Sequence, residues 1–542
     1  MLSVPPTDLS VGAFSADPPW LVDPDALTWR VGSDARRAAT QAQVPELLKP
    51  RRLPPGARVL KVALQLGRAL AGWYLLDRRR GRRAGRPEIS RQGLSRRLRQ
   101  AFQTLGPTYI KLGQILSSGE GLFPEELVSE FRLLRDRVPP EPFETVRAVV
   151  EQDLGATIEE VFSSFDRQPL AAASIAQVHA ATLHSGEQVV VKVQRPSVGS
   201  TVTRDLAAMS WIAPYLIGRI PVSALANPPA LVELFAETIV EELDFRLEAD
   251  NMLDVAAVFA ATDQRSVIVP RPHPKLITRR VLVMERLGGF SFDDVSGMRA
   301  AGIDTASVVR ALMISFLEGA TLFGVFHGDL HGGNLFVCPD GKVALLDYGI
   351  TGRLDEGRRL AFLRLLMGGT INDPKMQLAA LRDLGALPAD TDLDAVIHDL
   401  GIDQPVKDPT MMSPDELLGE IREMIKKLLA YGARFPKVLM LYVKDLLFID
   451  GALATLAPDV DLFSEITQIA MYFTSRHGER IAAEVGVDPR QQAVDLEGFK
   501  ASIGVSPEMD RMSYRDLQAR RELIRRRMAE HRRTRHRRGS RS

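Results

Sequence analysis

His-Gly-Asp-Leu-His-Gly-Gly-Asn is the sequence of residues 327–334, and Leu-Leu-Asp-Tyr-Gly is that of residues 345–349. An apolar run, residues 311–326, precedes this stretch and predicts a helix. Between the two segments, the turn sequence Pro339-Asp340-Gly341 separates short apolar runs and predicts a β-hairpin. The pattern therefore indicates a loop with two carboxylates and an amide that lies between a helix and a hairpin.

These side chains match the needs of phosphoryl transfer. The reaction requires a carboxylate that orients or deprotonates the acceptor hydroxyl, together with an amide oxygen and a second carboxylate that hold Mg²⁺ against the phosphates. Asn334 lies five residues after Asp329, as in the kinase loop pattern HRDxxxxN. A glycine-rich turn with buried His and Asp is the alternative, but six specified positions agree with one mechanism. We therefore expect Asp329 to be catalytic and Asn334 and Asp347 to bind the metal.

The upstream half of the chain should then hold a nucleotide. Lys192 lies near the end of an apolar strand, residues 189–193, where kinases place a lysine that contacts the α- and β-phosphates. Such a lysine needs a carboxylate partner. Glu242 and Glu248, in a segment expected to be helical over residues 231–252, are both candidates, and Glu248 is the first choice. The alternative for this segment is a solvated surface helix.

A phosphate loop is expected before the hairpin of residues 178–193. The sequence there is alanine-rich and contains no GxGxxG motif, and alanine restricts the φ > 0 conformations that glycine permits. Residues 281–287 are expected to be the strand and hinge beside an adenine, or else a plain core strand. The expected nucleotide contacts are Ala171, Ala172, Ala173, Ser174, Val178, Lys192, Met284, Glu285 and Leu287.

The order of these patterns divides the chain into five segments. A small β-rich unit followed by a larger helical unit indicates an α+β, two-lobed fold. The expected segments are a disordered or loosely ordered N-terminus (1–55), a helical extension (56–155), an N-lobe (156–287), a helical C-lobe (288–490) and a basic C-terminal tail (491–542).

These motifs together resemble the UbiB/AarF/ADCK family of atypical kinases over about residues 94–473. The matching pieces are Lys111-Leu112-Gly113-Gln114 for the family's KxGQ motif, Ala171–Ser174 for its alanine-rich loop, Glu242-Leu243-Asp244 for ExD, residues 327–334 for HxDxHxxN and Asp347-Tyr348-Gly349 for DFG. Ordinary protein kinases have neither KxGQ nor the alanine-rich loop, so the combination is specific.

The resemblance implies a protein-kinase-like fold whose helical N-terminal extension packs over the active site. The KxGQ segment would occupy the cleft where a protein substrate docks, with Lys111 and Gln114 facing Glu242 and Asp244. It also implies ATP and Mg²⁺ as cofactors, and a kinase or ATPase that supports isoprenoid-quinone or related lipid metabolism, with an isoprenoid or quinone-precursor lipid as partner. A protein Ser/Thr kinase and a non-catalytic nucleotide-gated scaffold are the alternatives.

Two features depart from the usual patterns. Lys192 and Glu248 are 56 positions apart, farther than in ordinary protein kinases, which fits an insertion at residues 200–229. Some bacterial members of the family end in transmembrane helices, whereas this chain ends in an arginine-rich tail.

The charge distribution bears on membranes and nucleic acids. The net charge is only +1, but arginines cluster at residues 78–99 and 514–542. These clusters are expected either to bind an anionic membrane surface or to be solvated charge runs. A helix at residues 58–76 could lie in the membrane interface, with Trp73 and Tyr74 at its boundary. Few aromatic residues interleave the arginines, so no specific nucleic-acid partner is expected.

Targeting signals are weak. We expect no secretory signal. We also expect no transmembrane helix, since the apolar candidates at residues 59–76 and 438–456 are interrupted by polar residues. The single cysteine, Cys338, excludes an intrachain disulfide and fits a reducing compartment. The expected location is therefore the cytoplasm, with peripheral contact at the inner face of the membrane. The sequence carries no signal for an oligomeric state.

Overall fold

A computed structural model describes residues 27–526, except residues 50, 86, 118–123, 135–138, 217–227, 403–411, 413, 435, 493, 504, 507 and 525. A helical N-terminal extension precedes an antiparallel N-lobe sheet and a larger helical C-lobe. This architecture confirms the two-lobed α+β fold predicted from the sequence.

The extension is entirely helical in its described part. Its elements are α1 (Ser33–Leu47), α2 (Ala57–Gly72), a π-helical turn (Trp73–Asp77), α3 (Arg78–Arg83), α4 (Pro87–Leu105), α5 (Pro107–Ser117) and α6 (Glu125–Phe131). The break between α4 and α5 falls at Gly106, whose φ is 105°, and at Pro107, the first residue of α5. Proline lacks an N–H but is tolerated in the first turn of a helix, so it starts α5 in a new direction.

Residues 27–48 differ from the expectation for the N-terminal segment. They form a turn and α1, and Leu27 and Trp29 are buried in the C-lobe core cluster. Arg30 Nε lies 3.0 Å from Asp250 Oδ1, and Arg37 Nη2 lies 3.1 Å from Asp250 Oδ2. The amino-acid composition of this segment indicated disorder. Composition does not reveal that two apolar residues become buried in a distant core, or that arginines form ion pairs with a residue more than 200 positions away.

The N-lobe and its insertion follow in the chain. Their elements are α7 (Phe143–Leu154), α8 (Ile158–Val161), β1 (Phe162–Phe165), β2 (Ala171–Ala172), β3 (Ala176–Leu183), β4 (Gln188–Gln194), α9 (Val198–Leu216), α10 (Pro228–Glu241), α11 (Phe245–Ala261), β5 (Val267–Ile268), β6 (Pro272–Ile277) and β7 (Val281–Glu285). The sheet order is β1-β3-β4-β7-β6, with β2 paired to β3. Val189, Val191 and Val193 alternate into the core beneath α7, as the period of a strand requires.

The segment expected to be one helix over residues 231–252 is two helices. α10 ends at Glu241, and α11 begins at Phe245. The side chain of Asp244 accepts a hydrogen bond from the Arg246 N–H and caps α11. A capping aspartate adopts an extended backbone, which interrupts the helical period. The break turns Glu242 and Glu248 towards different partners.

The C-lobe surrounds the predicted catalytic loop. Its elements are β8 (Phe290–Ser291), α12 (Val295–Ala300), α13 (Thr305–Glu318), a π-helical turn (Gly319–Phe323), β9 (Val325–His327), a 3₁₀ turn (Gly332–Asn334), β10 (Leu335–Val337), β11 (Val343–Leu345), β12 (Thr351–Arg353), α14 (Glu356–Thr370), α15 (Pro374–Asp383), α16 (Leu393–Leu400), α17 (Pro414–Ala430), α18 (Lys437–Leu456), α19 (Leu462–Val485) and α20 (Leu496–Ser502). β10 and β11 form the predicted hairpin. One apolar cluster joins α11, α13, α18 and these short strands. Leu330 of the predicted catalytic loop is buried in this cluster.

The first part of the predicted basic tail is ordered against the C-lobe. Residues 514–524 are helical, and Tyr514 and Leu517 pack against Leu462 and Phe463 of α19. The arginine-rich end, residues 527–542, lies outside the described residues.

Within the described residues, two helical stretches are long and apolar enough to cross a membrane, judged by length and composition alone. Thr305–Phe323 is mostly buried in the C-lobe, as a core helix of a soluble protein would be, whereas Ala57–Arg83 is largely exposed. The exposed stretch includes residues 58–76, for which the sequence leaves an interfacial helix as a prediction.

Candidate active site

His327 fixes both ends of the candidate catalytic segment. Its Nδ1 accepts a hydrogen bond from the Asp329 N–H at 3.1 Å, and its Nε2 lies 3.0 Å from Leu346 O. Since Nδ1 accepts, the proton of the neutral ring is assigned to Nε2, which donates to Leu346 O. Burial lowers the pKa of His327 and favours this neutral form. The ring therefore ties the loop at Asp329 to the strand that leads to Asp347.

Asp329 lies between two lysines from different parts of the chain. Lys444 of α18 forms an ion pair with its carboxylate, and Lys111 Nζ of α5 lies 4.0 Å from Oδ2. Burial opposes ionisation, but the two ammonium groups outweigh it and hold the pKa of Asp329 below its ordinary value. Asp329 is therefore an anion at neutral pH, as a group that receives or orients a proton must be.

Asn334 and Asp347 provide oxygen ligands beside Asp329. Asn334 Nδ2 donates to Asp329 O at 3.2 Å, which assigns the acceptor Oδ1 to the other side of the amide. Asp347 has a φ of 57°, a left-handed conformation that is uncommon outside glycine, and its Oδ1 accepts from the Gly349 N–H at 3.2 Å. Amide and carboxylate oxygens are the ligands that suit Mg²⁺, so this donor set fits the metal.

The described part of the chain contains no group of three or more His, Cys, Asp or Glu side chains that could hold a metal alone. Mg²⁺ in phosphoryl-transfer sites is bound through one or two carboxylates together with phosphates and water. The pair Asn334 and Asp347 would fit the protein's share of such a site, and their role as metal ligands stays a prediction.

Lys192 joins the two lobes at the cleft. Its Nζ lies 2.7 Å from Glu248 Oε1 and 3.2 Å from Asp347 Oδ1. Burial opposes the charge on Lys192, but the Asp347 and Glu248 carboxylates raise the pKa of Lys192 above its ordinary value. Of the two carboxylates that the sequence offered, Glu248 contacts Lys192. The cause is the helix break at residues 242–244, which places Glu248 in the first turn of α11.

The other residues expected to contact a nucleotide lie on adjacent strands. Ala171 and Ala172 form β2 and pair with β3, where Val178 faces Lys192 across the strand pair. The loop that follows, Ala173–Ile175, is closed by a 2.8 Å hydrogen bond from the Ala173 N–H to Ala176 O, and Ser174 is buried within it. Met284 and Glu285 end β7, next to β4, and Leu287 follows. Their contact with a nucleotide stays a prediction.

The KxGQ segment forms α5, and its lysine reaches the cleft. Lys111 Nζ lies 3.1 Å from Glu242 Oε1, and Gly349 is so close to Glu242 that an added Cβ would meet its Cγ at 3.4 Å. Burial, with the Asp347 and Asp329 charges, raises the pKa of Glu242 despite Lys111. The charged end of α5 therefore reaches the carboxylates of the cleft.

For the second expected pair, Gln114 and Asp244, the structure gives each residue a contact elsewhere. Gln114 Nε2 donates to Leu134 O at 3.3 Å, and the Asp244 carboxylate pairs with Arg246 at 2.6 Å while it caps α11. A contact between Gln114 and Asp244 stays a prediction.

Two residues of α18 belong to the site although their role was not recognised in the sequence. Lys444 pairs with Asp329, and the Asp445 Oδ1 accepts from the Leu330 N–H at 3.0 Å. Asp445 is fully buried, and burial raises its pKa well above the ordinary value. The available signal was a Lys-Asp pair inside an otherwise apolar helix. Asn251 of α11 was also missed; its Nδ2 donates to Tyr348 O at 2.8 Å and supports the turn after Asp347.

Comparison with known proteins finds a matching family model and relatives named as kinases. The family model described as "ABC1 atypical kinase-like domain" matches residues 133–380. A "Probable protein kinase UbiB" of Marinobacter nauticus is 32% identical over 75% of this chain and 72% of that protein. An uncharacterized protein of Mycobacterium tuberculosis is 35% identical over 71% of this chain and 79% of its own.

A plant protein and a solved structure also match. The chloroplastic "Protein ACTIVITY OF BC1 COMPLEX KINASE 1" of Arabidopsis thaliana is 32% identical over 67% of this chain and 53% of that protein. The solved structure is that of a Mycobacterium tuberculosis protein in complex with erythromycin, which is 24% identical, with a TM-score of 0.41 over 65% of this chain and 89% of that chain.

Proposed function

Because the chain belongs to the UbiB/AarF/ADCK family of ABC1 atypical kinase-like proteins, we propose that it is a Mg²⁺- and ATP-dependent phosphotransferase or ATPase that supports isoprenoid-quinone or related lipid metabolism. The observation that carries the proposal is the convergence of Lys192, Glu248, Asp329, Asn334 and Asp347 on one cleft. They come from both lobes and from positions up to 155 residues apart. A turn with only a structural role would not need groups from both lobes.

Each of these residues has a specific part in the proposed chemistry. Lys192, held by Glu248, binds the α- and β-phosphates, and Asn334 and Asp347 hold Mg²⁺. The metal, when bound, neutralises charge on the phosphates. Asp329 orients the attacking hydroxyl or water, or accepts its proton. Lys444 and Lys111 keep Asp329 ionised and oriented, so the proton acceptor is ready before the substrate arrives.

Two features favour a small or lipid-like acceptor over a protein chain. Lys111 of α5 lies within 4.0 Å of Glu242 and Asp329, in the cleft where the resemblance implies that a protein substrate would otherwise dock. The alanine-rich turn at residues 171–176 replaces the glycine-rich loop of protein kinases. A protein Ser/Thr kinase is therefore the second candidate, and transfer of labelled phosphate to a cellular protein, lost in Asp329→Asn, would support it instead.

The experiment that tests the proposal is Mg²⁺-ATP turnover by purified protein. Asp347→Asn removes a metal-binding carboxylate, so turnover should fall about a hundredfold or more, which is about 2.7 kcal/mol of transition-state stabilisation. The control is Asp340→Asn in the exposed hairpin turn, which should retain full turnover. Equal turnover in wild type and Asp347→Asn contradicts the proposal, and tight ATP binding without any turnover identifies a nucleotide-gated scaffold.

We also propose that the protein works at the surface of an anionic membrane, on the cytoplasmic side. On α2, Leu60 is 72% exposed and Leu64 is 49% exposed, at helical spacing on one face. Tyr74 and Leu75 extend this apolar surface, and the arginines of α3 follow directly. An apolar helix face beside basic side chains is typical of interfacial helices, which gain affinity from both burial and attraction to anionic lipids.

A further inference from the structure

A cavity of about 170 Å³ lies between the extension and the insertion helices α9 and α10. Its walls come from α2, α4, α5, α6, α9 and α10 and are almost entirely apolar; they include Leu66, Tyr109, Leu112, Leu116 and Ala213. Protein cores are close-packed and hold few voids larger than a water molecule. An apolar cavity of this size, partly open to solvent between the helices, therefore indicates a place for a ligand.

The chemistry of the walls indicates the ligand. An engineered apolar cavity of about 150 Å³ stays dry and binds benzene, so a cavity of this size holds a hydrocarbon group at least as large as a six-membered ring. Water would need two or more polar partners here. Of the polar lining groups, the Ser95 hydroxyl already donates to Arg91 O at 3.0 Å and Arg91 already pairs with Glu126, which leaves the Tyr109 hydroxyl as a single further partner in the described walls.

Two polar groups limit the ligand further. Arg91 Nε lies 2.7 Å from Glu126 Oε1, and the Arg91 side chain is 36% exposed, so this pair lies at the mouth of the cavity. Tyr109, in the wall, is only 2% exposed, and its hydroxyl has no hydrogen-bond partner among the described residues. Burial raises the pKa of Tyr109, so the hydroxyl keeps its proton and can donate. A ligand with a hydrocarbon body and an oxygen-bearing head would match the apolar walls and the charged pair at the mouth.

We propose that this cavity binds part of the hydrocarbon chain of a single amphipathic lipid molecule, with the polar head near Arg91. α2 connects the cavity to the outer surface, because Leu66 faces the cavity while Leu60 and Leu64 of the same helix face solvent. A lipid that leaves a membrane at the exposed face of α2 would therefore have to move only past one helix to enter the site.

The site also lies directly behind the helix that enters the cleft. Leu112 and Leu116 of α5 line the cavity, while Lys111 of the same helix contacts Glu242 in the cleft. A chain that packs against Leu112 fixes the position of α5 and hence the distance between Lys111 and Asp329. This consequence for turnover rests on the proposed function, whereas lipid binding itself does not.

The test is a titration of the full chain with cis-parinaric acid, a fatty acid whose fluorescence rises in an apolar site, without nucleotide or vesicles. Saturable binding is expected. Leu66→Trp fills the cavity and should weaken binding about tenfold or more, about 1.4 kcal/mol. Leu64→Trp places the same side chain on the exposed face of the same helix and should leave the affinity unchanged. No saturable binding, or equal weakening in both variants, overturns the proposal.

Competition identifies the kind of chain. Displacement of the probe by oleate alone assigns an acyl chain, displacement by farnesol alone assigns an isoprenoid chain, and displacement by neither overturns the proposal. Because no ATP is present, these outcomes are independent of whether the protein turns over nucleotide.

A second measurement uses the wild-type chain, in case Leu66→Trp does not fold. A fatty acid with a photoactivatable diazirine on its chain is cross-linked to the protein, and the labelled peptides are identified by mass spectrometry. Labels on the cavity-lining segments of α2, α5 or α9 are the expected result. Labels confined to other segments overturn the proposal.

Discussion

The cleft and the helical extension are built on opposite principles. In the cleft, charged side chains that range from buried to half-exposed are paired: Lys192 with Glu248 and Asp347, and Lys111 and Lys444 with Asp329. In the extension, the notable groups are apolar and incompletely covered, with leucines exposed on α2 and a cavity behind α5. A charge network fixes its members in a unique arrangement, whereas a loosely filled apolar layer can accept another molecule.

The helix α5 belongs to both regions and shows what the difference means. Its Lys111 is held by carboxylates, while its Leu112 and Leu116 face the cavity. At Gly113, an added Cβ would lie 2.2 Å from Leu134 Cδ1, so α5 is tightly packed against the segment after α6. The helix is therefore fixed on two sides and incompletely packed on a third, which is where a ligand can act on it.

The largest expected effect comes from breaking the charge pairing of the cleft. Lys444→Met removes one of the two cations that balance Asp329, and a buried charge that loses its partner destabilises a fold by about 3 kcal/mol. Urea unfolding monitored by circular dichroism measures this loss. Lys426→Met, which removes an exposed lysine of α17, is the control and should leave the stability unchanged.

The pH dependence of this variant follows from the direction of the pKa shift. The pKa of Asp329 is lowered in the folded state, so its pairing stabilises the fold above the ordinary carboxyl pKa of about 3.9 and loses this effect as the pH falls below it. The deficit of Lys444→Met should therefore be complete at neutral pH and smaller at about pH 3. A deficit that does not change with pH would mean that the lysine acts by packing rather than by charge.

A smaller effect is expected on the apolar surface of the extension. Leu60→Ser should weaken sedimentation with phosphatidylglycerol liposomes about tenfold, about 1.4 kcal/mol, because it removes an apolar side chain from the membrane-facing side of α2. Leu170→Ser changes an exposed leucine of the N-lobe, 53% exposed, and is the matched control. If both variants bind liposomes as the wild type does, α2 is not the membrane contact.

The smallest effect concerns the cavity and compares two alanines of α9. Ala213 lines the cavity and is 2% exposed, whereas Ala208 is fully buried and is not among the cavity-lining residues. Ala213→Leu should raise the free energy of unfolding by about 1 kcal/mol, because the added carbons fill a void. Ala208→Leu should lower it by about 2 kcal/mol through overpacking. Thermal unfolding of both variants measures these changes. A lower stability in both variants would mean that the cavity has no room for the added side chain.

Local pattern was sufficient for much of the fold and for the core of the site. The strands around Lys192 and the hairpin of residues 335–345 were predicted because hydrophobic period and turn residues act over a few positions. The loop with Asp329 and Asn334 was found from spacing within one segment. The division of residues 231–252 was missed, because Asp244 is as compatible with a helix surface as with a helix cap until its contacts are known.

The sequence by itself determined the family, the lobes and the residues that can carry the chemistry, since these depend on residue type and short spacing. Only the tertiary structure decided that Glu248 faces Lys192 while Glu242 faces Lys111, that Lys444 reaches Asp329 across 115 positions, and that Leu27 and Trp29 are buried in the C-lobe core. It alone revealed the cavity, which is a property of six helices together. The physical reason is the same in each case: ion pairs and voids form between side chains that are distant in sequence, and no local pattern specifies which distant partners will meet.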